Sequence, residues 1–354
     1  MSLPFAEPLY DYVVAIGRFS LMHNGHEAML RAGLERGRKM ILLIGSAHEP
    51  RMPKNPWTAN ERALMIRASL ADCQDRLIIG TLVNHMNDGA WFADVQETVR
   101  RAILEDGGNP ATARICLVGR DKDASSYYLK GFPDWPLISV ERTPVMGATD
   151  MRAHYFRNDK GGDLLLQANV PGPVFDTLMA FRTTKEYAEL VEAHRTIETY
   201  ESKYGRGPHH TTDAVIFWHN HVLLVERKNH PGKGQLAFPG GFIQREQLID
   251  GMIRELREET GLDVPADRLV ANVRHVATYD EPSRDPRSHI ITTAFGINLD
   301  ECAERPKVIA GDDAAKAFWL PLGEARQMRE RFFADHYLIF QDFVNAKEMA
   351  SLSR

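Results

Sequence analysis

Residues 240–262 read GGFIQREQLIDGMIRELREETGL, and this stretch decides how the rest of the chain is read. Glu255, Glu258 and Glu259 are three and four residues apart or adjacent, so a helix would crowd them together. Like charges at that spacing cost roughly a few tenths of a kcal/mol per pair. Leu248, Ile249, Met252, Ile253 and Leu256 gather on another side of the same helix, which is expected to pack on a sheet. The spacing predicts a helix over about Gln247 to Glu259, with Gly261 as its left-handed stop. Acids concentrated on one face imply a cation held against them, and an oxygen-only donor set selects a hard ion, Mg²⁺ or Mn²⁺. Arg254 lies beside this face, where its planar fork can fix a carboxylate rotamer.

Around that helix the chain is long enough for two cores, since 354 residues exceed the size at which one core usually stops growing. Apolar residues make up 44% and charged residues 26%, the balance of a globular protein without low-complexity segments. The net charge of −5 gives no basic excess for nucleic acid. No apolar leader opens the sequence and no run approaches the ~20 residues of a membrane span, so a soluble, cytoplasmic protein is expected. The three cysteines, Cys73, Cys116 and Cys302, have neither disulfide-framework nor zinc-site spacing, which suits a reducing compartment. A homo-oligomer is compatible with all of this.

From the N-terminus, short β-branched runs alternate with helical patterns: YVVAIG (12–17), KMILLIGS (39–46), RLIIGTLV (76–83) and ARICLVG (113–119). That alternation predicts a parallel, Rossmann-like α/β sheet. A polar helical stretch ending at Gly205 and Gly207 follows, and strands resume at DAVIFWHNHVLLVERK (213–228). The expected division is a domain over 1–183, a helical linker over 184–206 and a domain over 207–354 with an antiparallel or mixed sheet. His219, Asn220 and His221, set between two apolar runs, are read as a hairpin turn rather than a metal or nuclease motif.

Directly after the first strand comes GRFSLMHNGHEAML (17–30). A glycine-bearing turn from strand into helix N-terminus presents backbone N–H groups and a positive dipole end to an anion. His23 and His26 sit one turn apart there, and both can donate to one phosphate chain. The stretch resembles the GxFxPxHxGH motif of the nucleotidyltransferase superfamily, with Leu21 in place of proline. GATDMR (147–152) is similar to the same superfamily's S-x-T-x-x-R element, with Gly147 in place of serine while Thr149 and Arg152 are kept. The resemblance implies that a phosphate oxygen of one substrate attacks the α-phosphorus of ATP and that pyrophosphate leaves, without a covalent enzyme intermediate. It gives His23, His26 and Arg152 catalytic roles, and assigns ATP contacts to Gly17, Arg18, Phe19, Gly119, Lys122, Asp123 and Thr149.

The stretches GSAHEPRMPKNPWTANERALMI (45–66), NDGAWFADVQ (87–96) and GRDKDASSYYLKGFPDW (119–135) resemble the nicotinamide mononucleotide (NMN) adenylyltransferases, in the bacterial form fused to a Nudix domain. That implies NMN contacts from Asn87, Trp91 and Trp57, an aromatic face over a cationic pyridinium ring being physically reasonable. Arg120 stands where the family often carries histidine.

The opening stretch fits the Nudix box, G-x5-E-x7-R-E-U-x-E-E-x-G-U, at Gly240, Glu246, Arg254, Glu255, Leu256, Glu258, Glu259, Gly261 and Leu262. This resemblance implies an α/β/α sandwich, metal ligation by Glu255, Glu258, Glu259 and Gly240, and catalytic roles for Glu258 and Arg254. TYDEPSRDPRSHIITTAF (278–295) and AGDDAAKAFWLPL (310–322) are similar to segments of Nudix enzymes acting on ADP-ribose. The contacts so implied are Phe238, Gly240, Gly241, Tyr279, Arg284 and Arg287. The expectation is a bifunctional enzyme that makes NAD from ATP and NMN and hydrolyses ADP-ribose with Mg²⁺. Two alternatives stay open: other substrates on the same folds, such as nicotinic acid mononucleotide, NADH or a sugar nucleotide, and a second domain that binds ADP-ribose as a sensor.

Overall fold

Strand alternation is borne out in the first half of the chain. The structure, a computed structural model, describes residues 9–120, 128–141, 146–157, 160–311 and 314–352. Lys122 and Asp123 lie outside the described residues. The chain divides into two compact units, Met1–Ala188 and Glu189–Arg354.

The first unit runs β1 (Tyr10–Gly17), α1 (Asn24–Leu34), β2 (Gly37–Ile44), α2 (Ala59–Ser69), β3 (Leu77–Thr81), α3 (Asp88–Glu105), β4 (Ile115–Gly119) and β5 (Leu137–Ser139). Helices α4 (Ala148–Arg157), α5 (Lys160–Asn169) and α6 (Gly172–Phe181) follow, then α7 (Lys185–Tyr204), which continues past the division between the units. The sheet order is β3-β2-β1-β4-β5 and every pairing is parallel. Both faces of β1 are covered, as an all-parallel sheet requires. Tyr12, Val14 and Ile16 join Val95, Val99 and Ile103 of α3 in one core, while Val13, Met40 and Val118 line the other face so tightly that a methyl added at Gly33 of α1 would lie 2.8 Å from Met40. Strand order reverses beside β1, and the crevice beyond the strand ends at such a point is where this architecture binds ligands. β5 escaped the sequence reading: three residues after a proline carry no period to detect.

The second unit comprises β6 (His209–Trp218), β7 (His221–Arg227), β8 (Leu236–Ala237), β9 (Gly240–Phe242), α8 (Leu248–Thr260), α9 (Ala266–Ala271), β10 (Val273–Tyr279), β11 (Ile290–Asn298), β12 (Ala314–Pro321), α10 (Leu322–Ala325) and α11 (His336–Leu352). Its seven-stranded sheet is mixed: β6 pairs parallel with β11 and antiparallel with β7 and β9. The period of two along β6 builds both sides of a sandwich. Ala214 and Ile216 meet Met252, Ile253 and Leu256 of α8, whereas Val215 and Phe217 meet Phe340 and Phe343 of α11.

Several expectations are refined by these elements. α8 is one residue displaced from the predicted span, with Gln247 as its N-cap and Gly261 left-handed at φ 55° as expected. Leu248 does not join the buried face of α8; it is 40% exposed as the first residue of the helix. The hairpin turn is His219-Asn220 alone, since His221 already heads β7 opposite Trp218. Leu21, where the motif has proline, is completely buried beside Met22, so packing fixes the turn in place of a stiff ring. Among the described residues no helix is long and apolar enough to cross a membrane.

Candidate active sites

In the first unit the turn after β1 brings the predicted residues together. His23 caps α1, and its Nδ1 accepts the His26 backbone N–H at 3.2 Å. An accepting Nδ1 leaves the proton of the neutral ring on Nε2, so Nε2 is the donor edge. The His23 and His26 rings stack at 3.7 Å, and Phe19 meets His26 edge to face at 5.0 Å. Phe19 is buried with φ +46°, a conformation rare for a bulky side chain and one found at functional turns. A methyl at Gly17 would press to 3.1 Å from the Phe19 ring.

Arg152, one turn into α4, reaches back across the chain. Its Nη1 donates to Ser20 Oγ at 2.9 Å and its Nη2 to Thr149 Oγ1 at 3.3 Å. The side chain is buried, and burial together with the neighbouring Arg18 pulls its pKa down to about 10, so it remains a cation at neutral pH. Arg18 itself is exposed. Thr149 joins the site through Arg152, and Gly119 closes the end of β4, where a methyl would meet Leu129 at 2.8 Å.

The residues assigned to the mononucleotide are divided. Asn87 is the N-cap of α3, its Oδ1 accepting the Ala90 N–H at 2.8 Å, and Trp91 stands one turn on, half-buried against Phe92 and Tyr128 at 5.4 and 5.8 Å. Trp57 is instead completely buried against Tyr155 and Phe181 at 5.7 and 5.9 Å, with no hydrogen-bond partner for its indole N–H among the described residues.

In the second unit the acid face of α8 is organised by Arg254. Its guanidinium contacts Glu246 at 2.6 Å, Glu255 at 2.7 Å and Glu258 at 3.2 Å, and also bonds the Phe242 carbonyl at 3.1 Å. The bonds to Glu246 are the main reason that Arg254 is held well above the ordinary guanidinium range. Glu259 turns the other way and accepts the Gly240 N–H at 3.1 Å. Burial pushes Glu259 up to about 8, the Gly240 bond opposing and the nearby Glu255 adding to the shift. Gly240 and Gly241 of β9 are necessary here: a methyl at Gly240 would fall 2.2 Å from the Thr212 carbonyl, and one at Gly241 would fall 2.4 Å from the Glu255 carboxyl carbon. Among the described residues no three His, Cys, Asp or Glu side chains already form a metal cage. The donors themselves fit a hard divalent ion, being carboxylates around a glycine-lined cradle.

Of the remaining assigned residues, Arg284, Tyr279 and Phe238 are held by long-range partners and Arg287 by a near neighbour. Arg284 forms a two-pronged pair with Asp335, both contacts 2.7 Å, and Arg287 pairs with Asp285 at 2.7 and 2.9 Å beside the Phe242 ring at 5.5 Å. Tyr279 is buried and donates to Asp342 at 2.6 Å. Phe238 lies in the core, its backbone N–H bonded to His336 Nδ1 at 3.2 Å. Two neighbours of this site were not singled out from sequence. Asp213, pushed up to about 6 by burial, accepts from Thr292 at 2.6 Å, and Arg227 stacks on Phe333 at 4.0 Å with no carboxylate in ion-pair contact among the described residues. A charged residue inside the apolar run TTDAVIFW was the available signal for Asp213.

Glu259 makes metal-free stability depend on pH. Its folded pKa of about 8 lies above the ordinary 4.5, so its contribution is complete below pH 4.5 and is lost as pH rises towards 8. Urea titrations of the metal-free protein are expected to show this fall, at up to about 1.4 kcal/mol per pH unit, and Glu259→Gln should flatten it. Identical pH profiles for the two proteins would refute the assignment.

Comparison with known proteins finds a separate family in each half of the chain. Residues 208–343 match the NUDIX domain family and residues 14–90 the Cytidylyltransferase-like family. The chain is 33% identical over 188 residues to a nicotinamide/nicotinic acid mononucleotide adenylyltransferase of Acinetobacter baylyi, covering 52% of this chain and 94% of that protein. It is 34% identical over 164 residues to an ADP-ribose pyrophosphatase of Methanocaldococcus jannaschii, covering 46% of this chain and 88% of that protein. A bifunctional NMN adenylyltransferase/ADP ribose pyrophosphatase from Francisella tularensis, solved with AMP and a Mn ion, superposes with a TM-score of 0.85 at 27% identity, over 95% of this chain and 99% of that one. With a nucleotidyltransferase turn in one unit and an intact Nudix box in the other, the chain belongs to the bifunctional NMN adenylyltransferase/ADP-ribose pyrophosphatase family.

Proposed function

We propose that the first unit transfers the adenylyl group of ATP to NMN, giving NAD and pyrophosphate, and that the second hydrolyses ADP-ribose to AMP and ribose 5-phosphate. The observation that carries this reading is the presence in one chain of both sites, over almost the whole length of a similar bifunctional protein.

In the first reaction a phosphate oxygen of NMN forms the new bond to the α-phosphorus as the bond to the β-phosphate breaks. The protein's part is positioning and charge neutralisation. His23 donates through Nε2, the tautomer fixed by the His26 N–H, while the α1 N-terminus and the buried Arg152 cation face the same turn. Arg18, Gly17, Phe19, Gly119 and Thr149 complete the ATP side. Asn87 and Trp91, one helical turn apart on α3, offer an amide and an aromatic face to the mononucleotide. Trp57, enclosed by Tyr155 and Phe181, has no open ring face to offer the mononucleotide.

In the second unit Glu255, Glu258, Glu259 and Gly240 would hold Mg²⁺ or Mn²⁺, which supplies a Lewis acid for the diphosphate and lowers the pKa of water. Arg254 orients Glu255 and Glu258, and Glu259 must surrender its proton for an ion to bind. Gly241 keeps room beside Glu255. Arg284 and Arg287, fixed by their aspartates, line the diphosphate side with reduced net charge, and Phe238 and Tyr279 form walls behind it. All box acids are present, which favours hydrolysis over a sensor role. Unpaired, largely buried cysteines support a cytoplasmic setting.

The test is to supply purified protein with Mg²⁺, ATP and NMN, and separately with ADP-ribose, and to follow products chromatographically. NAD in the first reaction and AMP with ribose 5-phosphate in the second are expected. Absence of NAD refutes the first assignment, and intact ADP-ribose refutes the second.

A further inference from the structure

Arg62, on α2, is only 1% exposed, yet among the described residues it makes no ion pair. Its guanidinium instead gathers four backbone carbonyls from three separate segments. Nη1 bonds the carbonyls of Arg18 and, at 2.7 Å, Gly45; Nη2 bonds Ser46 at 3.1 Å; Nε bonds Thr58 at 3.3 Å. The neighbouring Glu61 is committed elsewhere, to Arg51 and to the capping box of α2.

The carbonyls it holds are not ordinary ones. The Arg18 carbonyl belongs to the peptide that enters Phe19, and Ser46 is itself a non-glycine residue at φ +49°. Phe19 and Ser46 therefore both occupy the left-handed region, in the turns that follow β1 and β2. The same two turns are joined directly by the Gly45 N–H to the Gly17 carbonyl at 2.9 Å. Unfavourable backbone conformations persist only where surrounding bonds over-determine them, and Arg62 supplies those bonds.

We propose that Arg62 is a positioning residue for the ATP site: it locks the two phosphate-facing turns in their strained form and leaves a buried cation whose counter-charge is the incoming triphosphate. This rests on the reading of the first unit as the ATP-dependent one. Burying a cation without an anion is unfavourable, so an arginine serving as a brace alone would be expected beside a carboxylate. Here the one carboxylate that acts on it, Glu61, is bonded to Arg51, and burial and then Arg18 draw Arg62 down to about 10 against the opposing pull of Glu61, leaving it protonated at neutral pH. Arg152 is a second buried cation that also feels Arg18. The polyanionic end of a nucleoside triphosphate is the chemistry that completes such a cluster.

The experiment is steady-state NAD synthesis by the full chain carrying Arg62→Met or Arg62→Lys, with ADP-ribose hydrolysis in the same preparation as the folding control. Arg62→Met should raise KM for ATP roughly tenfold or more while KM for NMN moves less than about twofold. Arg62→Lys, which keeps the charge and loses the fan of donors, should fall between parent and Met. KM for ATP unchanged in both variants overturns the proposal, as does an equal rise in both KM values. Should Arg62→Met fail to fold, Arg62→Lys decides alone, and a KM for ATP equal to that of the parent overturns the proposal. If the parent itself makes no NAD, the fault lies with the functional reading. Calorimetric titration of inorganic pyrophosphate then tests Arg62 separately: weaker binding by Arg62→Lys supports the role, and equal binding refutes it.

Discussion

Glu258→Gln is expected to lower ADP-ribose hydrolysis by roughly a thousandfold, with NAD synthesis by the same preparation changed less than about twofold. Of the three box acids Glu258 is the most open, its side chain 58% exposed and its contact to Arg254 a single 3.2 Å bond. Glu255 and Glu259 are more enclosed and already spend their oxygens on Arg254 and the Gly240 N–H. Glu258 is thus the carboxylate most able to turn towards an ion and its water. Glutamine preserves the size and one acceptor oxygen but removes the charge. The first site belongs to a separate unit with its own core, so its activity provides the control. Chromatography of both product sets decides the matter. Hydrolysis at the parent rate would refute the role of Glu258, and joint loss of both activities would refute the division of labour.

Arg152→Ala is expected to cut NAD synthesis by roughly 10²- to 10³-fold, equivalent to about 3–4 kcal/mol of transition-state stabilisation. The guanidinium is buried, lacks a carboxylate partner among the described residues, and links α4 to Ser20 in the turn after β1. Removing it takes away a preorganised cation and leaves the Ser20 hydroxyl without that donor. Arg152→Lys restores charge without the fork and should recover only part of the rate. Pre-steady-state NAD formation measures the chemical step. A variant with the parent's rate would show that the cation does not act on the phosphates.

What was legible in the sequence follows from the range of the interactions involved. The Nudix helix was readable because its acids, its apolar face and Gly261 all repeat within a few residues, and α8 forms within one residue of the expected span. The turn after β1 was readable for the same reason: His23 caps the helix that carries His26. Arg284 and Arg287 stand in the expected segment, but Asp335, the partner of Arg284, lies 51 residues away, a pairing no local pattern encodes. Arg62 was invisible for a related reason. It sits among Met65, Ile66 and Ser69 on the buried side of α2 and, among the described residues, bonds only backbone, so its partners carry no side-chain signature. Leu248 misled because periodicity assigns a face but not where along the helix burial begins.

The grip of Arg254 on Glu246, Glu255 and Glu258 bears on how the domain is made as well as how it works. A ridge of acids that relied on a borrowed cation for its existence could not fold until one arrived. Here a tethered guanidinium occupies that place from the outset, so the polypeptide balances these three acids for itself, and an incoming ion has to draw the carboxylates away from a partner they already hold.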